Sequence, residues 1–465
     1  MNVVTIINGK IVDGDMLVAA DLVIENGTIT EICQPGFGRK RGEVLDAEGH
    51  LILPGAIDIH FHCRAPAYPE RGDFASETRG AAAGGVTTIF EMPISKPGAA
   101  TLEVFENRRR LAEHDAYVNF GLYAAPALLD AAEIEKMVNA GAIGFKTFMT
   151  GAPEGRADEF EGLCATTDDE LYRVLELLKP YAQPAVFHSE SSQLLDLFES
   201  RTAGIQNFPS QDHALTRPPV VEGVAVAKLI AMVMDTQRPV HIAHLSSEIG
   251  LEFIRDAQRR NLPVTAETCP HYLLFTSDAL REARSFAKVN PPIRGNSDRL
   301  ALWTGLEDKT ISILASDHSP FTAAEKQAAW EDIRIAPPGI PSIDILYHLV
   351  LDMALSGRFS LERAIELIST GPAKMYNLYP QKGIIRVGSD ADLVLFNPEG
   401  VTTLNSKNWH SKAAPSDRLY TGMQLRGELC QTIVGGKVVY RQGEILGERG
   451  GGRFVRPPMT GIFAS

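Results

Sequence analysis

The sequence predicts an α/β fold, a (β/α)8 TIM barrel carrying a small β-sandwich domain built from both chain ends. Three observations lead there. Eight short apolar runs recur through the middle of the chain: "LILPGAIDIHFH", "VTTIFEMP", "VNFGLYAAP", "AIGFKTFMT", "PAVFHSE", "PVHIAHLSS", "PVTAETCPHYL" and "ISILASDHSP". Amphipathic stretches such as "DDELYRVLELLKPYA" and "VAVAKLIAMVMDTQ" lie between them. Near-continuous apolar strands alternating with helices indicate a parallel sheet covered on both faces, and eight of them close a barrel. The third observation is the texture of the ends. "VVTIING" and "ADLVIENGTITEI" near the start, and "ADLVLFNPEG" and "CQTIVGGKVVYRQGEIL" near the finish, are β-rich runs broken by turn signals. An open doubly wound sheet is the alternative architecture, but no glycine fingerprint follows any of the strands.

These elements divide the chain into a sandwich of residues 1–53 plus 384–448, a barrel of residues 54–383 and a tail of residues 449–465. The "NG" pairs at 8–9 and 26–27 are read as hairpin turns. Helical "LERAIELISTGPAKMYNL" leads out of the barrel toward the sandwich. The tail "GGGRFVRPPMTGIFAS" has too few core residues to fold alone, and is expected to drape over a neighbouring subunit or to stay mobile.

Composition narrows the function. A net charge of -13 argues against nucleic-acid or anionic-membrane partners, and the one basic run, "NRRRL" at 107–111, is short enough to lie on a helix face. The start has no basic segment leading into an apolar core, and no apolar run is long enough to cross a bilayer. Five scattered cysteines (33, 63, 164, 269 and 430) without a CxxC pair fit a reducing cytoplasm and argue against thiolate zinc sites.

The chemistry starts at "GAIDIHFHCRAP", where His60 and His62 interrupt an apolar strand. Residues two apart on a strand share a face, so both imidazoles point the same way and suit one cation better than a core. A barrel does its chemistry at the C-terminal ends of its strands. The polar residues there are His60 and His62 on the first strand, Lys146 on the fourth, His188 on the fifth, His244 on the sixth and Asp317 on the eighth. Taken singly, His188 and His244 also read as satisfied core histidines, and Asp317 as a turn or cap residue. Together they form a metal site. His241 and the neighbour of Asp317, His318, face elsewhere and read as structural or hydrogen-bonding groups. Lys146 is read as a carbamate: the neutral amine adds CO2 and becomes an anionic ligand able to bridge two metals. Schiff-base chemistry is the competing use of a lysine at that position.

These residues resemble the cyclic amidohydrolases of the amidohydrolase superfamily: allantoinase, dihydroorotase and dihydropyrimidinase (hydantoinase). The resemblance runs from "INGKIV" through "PGAIDIHFH", "AAAGGVTTIFEMP", "GFKTFM", "HIAHLSS", "ETCPHYL", "NPPIR" and "SDHSP" to "GSDADLVLFNP". It implies two divalent ions per chain. His60, His62 and Asp317 would hold one, His188 and His244 the other, with carboxylated Lys146 between them. The ions would share a hydroxide that attacks the ring carbonyl, and Asp317 would serve as general base and then general acid toward the departing nitrogen. Zinc is the default for so nitrogen-rich a ligand set, with manganese, cobalt and nickel as alternatives.

On substrate, "HIAHLSS", "ETCPHYL", "SDHSP" and "DEF" at 158–160 look most like allantoinase, so ring opening of a ureide such as allantoin leads. Dihydropyrimidinases carry a tyrosine where this chain has Gly151. Arg64 and Asn290 are similar to the dihydroorotase pattern, in which the arginine grips a substrate carboxylate, yet Ile94 replaces the asparagine expected after "MP". Arg64 could instead pair with Glu70 or Asp73. Arg64, His271 and Asn290 are the expected substrate contacts, and the segments 151–167 and "FTAAEKQAAWEDIRIAPPGIPS" the expected lid. A homodimer or homotetramer in the cytoplasm is the expected setting. The readings from other classes are an inactive assembly protein of this fold and a mononuclear deaminase that would not need Lys146.

Overall fold

The computed structural model describes residues 2–14, 16–37 and 41–457. Five strands open the chain: β1 (Val3–Asp13), β2 (Met16–Glu25), β3 (Thr28–Cys33), β4 (Glu43–Asp46) and β5 (Leu51–Pro54). Eight follow in the middle: β6 (Ala56–Phe61), β7 (Val86–Glu91), β8 (Asn119–Ala124), β9 (Gly144–Phe148), β10 (Ala185–His188), β11 (Val240–Ile242), β12 (Val264–Thr268) and β13 (Ile313–Leu314). The last four are β14 (Leu393–Thr403), β15 (Gln424–Val434), β16 (Lys437–Arg441) and β17 (Glu444–Ile445).

Strands β6 to β13 pair in sequence order, each parallel to the next. The ring closes where Phe61 bridges His318 in parallel and the His62 amide donates to the His318 carbonyl at 2.9 Å. Asp58 reinforces the seam by accepting from the Ser316 amide at 3.0 Å. The helices behave as their periodicity demands. In Asp168–Leu178 the buried residues are Leu171, Val174, Leu175 and Leu178, one stripe at helical spacing, and Thr167 and Glu170 form a capping box at its start. "NRRRL" does lie on a helix, Leu102–Asp115, but Arg108 turns inward and is buried against Glu91. Helical "LERAIELISTGPAKMYNL" is α-helical only at Leu361–Ile365 and Gly371–Met375, with a π-turn over Glu366–Thr370 between them.

Both ends of the chain meet in one nine-stranded sheet, ordered β17-β16-β15-β14-β5-β1-β2-β3 with β4 added to β1. The antiparallel pairing of β14 with β5 joins them, and Val4, Ile6, Leu22, Ile24, Ile52, Leu393, Leu395 and Ile433 share its core.

Two sequence expectations are corrected here. Asn26-Gly27 is the turn between β2 and β3, with φ of 51° and 84°. Asn8-Gly9 is no turn: it lies inside β1, where the register with β2 slips between Ile6 and Gly9. This is a bulge. Glycine is needed there because a Cβ at position 9 would lie 2.2 Å from Ile52 Cδ1. The tail is also not loose over residues 450–457. Phe454 bridges Phe120, the Phe120 amide donates to the Arg453 carbonyl, and the Val455 amide donates to the Phe120 carbonyl. Val455 joins the cluster of Ile57, Phe90, Tyr123 and Val186 that packs the barrel. An apolar pair, Phe454 and Val455, was enough to seat the segment on its own barrel. Residues 458–465 of the expected tail lie outside the described residues.

Among the described residues no helix is long and apolar enough to cross a membrane. Truncating Phe454 to Ala removes its packing on Phe120 and Phe105 and should cost about 2 kcal/mol of stability, read from a urea unfolding midpoint.

Candidate metal centre

All six polar strand-end residues come together at the C-terminal mouth of the barrel. His60 lies within β6 with His62 just past it, Lys146 lies within β9, and His188 is the last residue of β10. His244 and Asp317 follow β11 and β13 in left-handed backbone, with φ of 37° and 44°. That conformation is strained for a side chain with a Cβ and recurs at functional sites. It also breaks the strand alternation, so that His241 and His244 both meet Glu267, the first through its ring at 3.1 Å and the second through its amide at 3.2 Å.

His60 Nε2 lies 3.3 Å and His62 Nε2 3.6 Å from Asp317 Oδ1. Donor atoms of these three residues all fall within 4.8 Å of one another. On the other side His188 Nδ1 faces His244 Nε2 at 2.9 Å. The rings of His60 and His244, 5.1 Å apart, connect the two halves. Lys146 is fully enclosed at the same place, and its Nζ has no hydrogen-bond partner.

Burial sets the charge states. It pushes His60 down to about 4 and also lowers His62, His188 and His244, with Lys146 adding to each depression. The four imidazoles are therefore neutral near pH 7 and offer lone pairs. Burial likewise pulls Lys146 down to about 8, against the opposing pull of Glu267 and Asp317, and raises Asp317 to about 8.

Two carboxylates that sequence reasoning passed over orient the rings. Glu267 Oε1 takes a short hydrogen bond from His60 Nδ1, which leaves Nε2 free toward Asp317. Glu190 accepts from His188 Nε2 at 2.8 Å, leaving Nδ1 toward His244. Burial alone would raise both acids, but Arg217 and His188 hold Glu190 at about 2, and His60 and His241 hold Glu267 lower still. Their signal was visible: an acid at the end of the seventh strand in "AETCP", and another two residues after His188. His318, beside Asp317, turns away and binds Glu77 at 2.8 Å.

The site opens into a cavity of about 710 Å³. Residues 151–154, Arg156 and Phe160 line it from the first expected lid segment, and Phe321 with residues 334–339 line it from the second. A third wall, between Ser192 and Arg217, went unforeseen because nothing in its sequence marks it as other than helix and loop. Asn290 lines the cavity. Arg64 lines it too, and the paired alternative fails: its Nη2 donates to Ser319 Oγ, its guanidinium lies 4.5 Å over Phe321, and Asp73 is engaged by Lys412. His271 is fully buried, its ring centre 4.1 Å from that of Tyr272 at a tilt of 59°, and both its ring nitrogens are without a hydrogen-bond partner.

A model of the Amidohydrolase family matches residues 51–439. The chain belongs to the amidohydrolase family. An allantoinase of Rubrobacter xylanophilus is 34% identical over 453 residues, covering 97% of this chain and 96% of that one. An L-hydantoinase of Paenarthrobacter aurescens is 30% identical over 452 residues, covering 96% of each. Among solved structures, L-hydantoinase (dihydropyrimidinase) from Arthrobacter aurescens superposes with a TM-score of 0.89 at 30% identity, covering 98% of this chain and all of that one.

Amidohydrolases in general are binuclear metal enzymes, and the donors of this one fit that chemistry. Four neutral imidazoles with their inner nitrogens converging, a carboxylate between two of them and a buried amine without a partner would together be costly to bury if nothing bound there. The orienting acids supply the first test. Glu267→Gln weakens the hold on His60, and metal content after dialysis, read by elemental analysis, should fall with an affinity loss of about ten-fold or more while the circular dichroism melt stays cooperative.

Proposed function

We propose that this amidohydrolase opens cyclic amide rings by hydrolysis of a ring carbon–nitrogen bond, with a ureide such as allantoin as its lead substrate. The single observation that carries the reading is the enclosed, partnerless Lys146 amine among four inward-facing imidazoles and Asp317. An amine in that position reacts with CO2 to form an N–C bond, losing a proton and gaining two carboxylate oxygens. His60, His62 and Asp317 would then hold one divalent cation and His188 with His244 the other, the carbamate reaching both; zinc suits the nitrogen-rich set. When bound, such cations would supply Lewis acidity toward the ring carbonyl and bring the pKa of water toward neutrality.

The chain's own residues do the rest. Asp317 is placed to accept the proton of the attacking water and return it to the departing ring nitrogen, so that the products are a carboxylate and an opened urea or amine. Glu267 and Glu190 keep His60 and His188 in the tautomers that leave their inner nitrogens free. Asn290 faces the substrate, and Gly151, with open space around its Cβ position, leaves room for a ring substituent. The relatives named allantoinase and hydantoinase support the ring-opening class.

A second reading, a ring carrying a carboxylate, is favoured by one observation: Arg64 is buried on the cavity wall with no carboxylate bonded to it among the described residues. A homodimer or homotetramer would cover the apolar side chains that Val220, Val224, Ile249 and Phe253 leave exposed. Five free cysteines suit a cytoplasmic setting.

Ring opening of allantoin, dihydroorotate, dihydrouracil and hydantoin by purified enzyme, grown with added zinc and bicarbonate, separates the readings. Allantoin should be opened fastest; dihydroorotate as the sole substrate would transfer the assignment to the second reading, and silence on all four would end both. Asp317→Asn should lower kcat by about a thousand-fold on whichever ring is opened. Lys146→Met should abolish both bound metal and the carbamate signal seen by NMR after growth on labelled bicarbonate; full activity in Lys146→Met would instead indicate a site that needs no bridge.

A further inference from the structure

Six cationic side chains line the cavity: Arg64, Arg71, Arg156, Arg217, Lys288 and Arg334. Four are neutralised in place, Arg71 by Glu325 at 2.7 Å, Arg156 by Glu159 at 2.5 Å, Arg217 by Glu190 at 2.6 Å and Arg334 by Asp332 at 2.5 Å. Arg64 belongs to the second reading above. Lys288 stands apart. It is only 6% exposed, and among the described residues its Nζ has one partner, the Arg334 carbonyl at 2.7 Å. The acids nearest in charge, Glu199 and Asp332, are already held by Arg217 and Arg334. An ammonium has three N–H donors, so two are left without a protein partner among the described residues. Burying a cation without a counter-ion is costly, and burial with Arg217 nearby pulls this amine down to about 7.

Two residues further along, Asn290 adds a second donor to the same wall. Its orientation is set by His213, which is 2% exposed and neutral because burial lowers it to about 3. His213 Nε2 lies 3.3 Å from the Val289 carbonyl and 3.1 Å from Asn290 Oδ1. A carbonyl only accepts, so the single ring proton sits on Nε2 and is shared with the amide oxygen. Asn290 Nδ2 is thereby turned away from His213, and among the described residues no protein group accepts from it. The cavity lining thus carries an ammonium at 288 and an amide N–H at 290, two residues apart in the chain, and among the described residues neither group is bonded to a carboxylate.

We propose that Lys288 Nζ and Asn290 Nδ2 form an anion subsite that takes an acidic substituent, a carboxylate, on the ring substrate, with His213 as the positioning residue that aims the amide. A carboxylate accepts from both donors at once and supplies the counter-charge that Lys288 lacks. The subsite is separate from Arg64 and selects the ring's side chain rather than the bond that breaks. It rests on the cyclic-amide reading.

The probes are a hydantoin ring bearing a carboxyethyl group and the same ring bearing a propyl group of equal length. The readout is the ratio of kcat/KM, acid over neutral, with the corresponding ratio of dissociation constants from calorimetry on the metal-loaded enzyme. The wild type should favour the acid by about ten-fold or more, Lys288→Met should erase that preference, and Lys288→Arg should keep most of it. His213→Phe, which frees the amide to rotate, should reduce the preference; His213→Gln, whose side chain can still donate to Asn290, should restore it. No acid preference in the wild type overturns the proposal. So does a preference lost in Arg64→Met and untouched in Lys288→Met, which would place the acid on Arg64. If neither ring is opened, the cyclic-amide reading fails, and the calorimetric ratio alone then decides the subsite.

Discussion

The structure is organised around a burial constraint: four imidazoles, an amine and a carboxylate are packed at one barrel mouth with almost no water access. Burial strips the imidazoles of charge and leaves lone pairs that a protein core cannot use. Only directed bonding makes such a cluster tolerable. Glu267 and Glu190 direct it from outside, each taking the outer N–H of one ring so that the inner nitrogen points to the centre. These acids are in turn anchored, Glu267 by His241 and Glu190 by Arg217. His60 and His188 are thus held from outside, while Lys146 Nζ at the centre has no partner.

The barrel supports that arrangement at both ends. At the mouth, the β6–β13 seam locks Ser316 onto Asp58 and His318 onto the His62 amide, so the strand that carries His60 and His62 is held in place. At the other end the C-terminal segment lays Phe454 and Val455 against β8 and the barrel packing. The nine-stranded sheet, joined through β5 and β14, ties the two ends of the chain to the strand that enters the barrel first.

The cavity above the centre divides its charges by purpose. Most of its arginines are spent on carboxylates of the protein itself and fix loops: Arg217 and Arg334 hold the third and second walls in this way. Arg64 and Lys288 are not so engaged, and both line the cavity. The side chains clustered at the barrel mouth and the unpaired cations of the cavity are therefore different groups.

Much of this was legible in the chain itself. Apolar periodicity marked the eight barrel strands and the amphipathic helix at 168–178, and the residue types at strand ends marked six groups that do converge, because strand parity and barrel topology leave them few other directions. Other features depend on contacts between segments far apart in sequence. Asn8-Gly9 looked like a turn until the pairing of β1 with β2 placed it in a bulge, and the tail looked too poor to dock until Phe120 offered it a strand edge. Glu267 and Glu190 were visible as acids at or just past strand ends, but which ring each one orients is set by folding. The sequence by itself determined which side chains could bind metal and which strands would carry them, since periodicity and residue chemistry are local properties. Only the tertiary structure decided which acids orient those ligands, where the tail seats and which cations stay unpaired, since each depends on a partner brought close by folding.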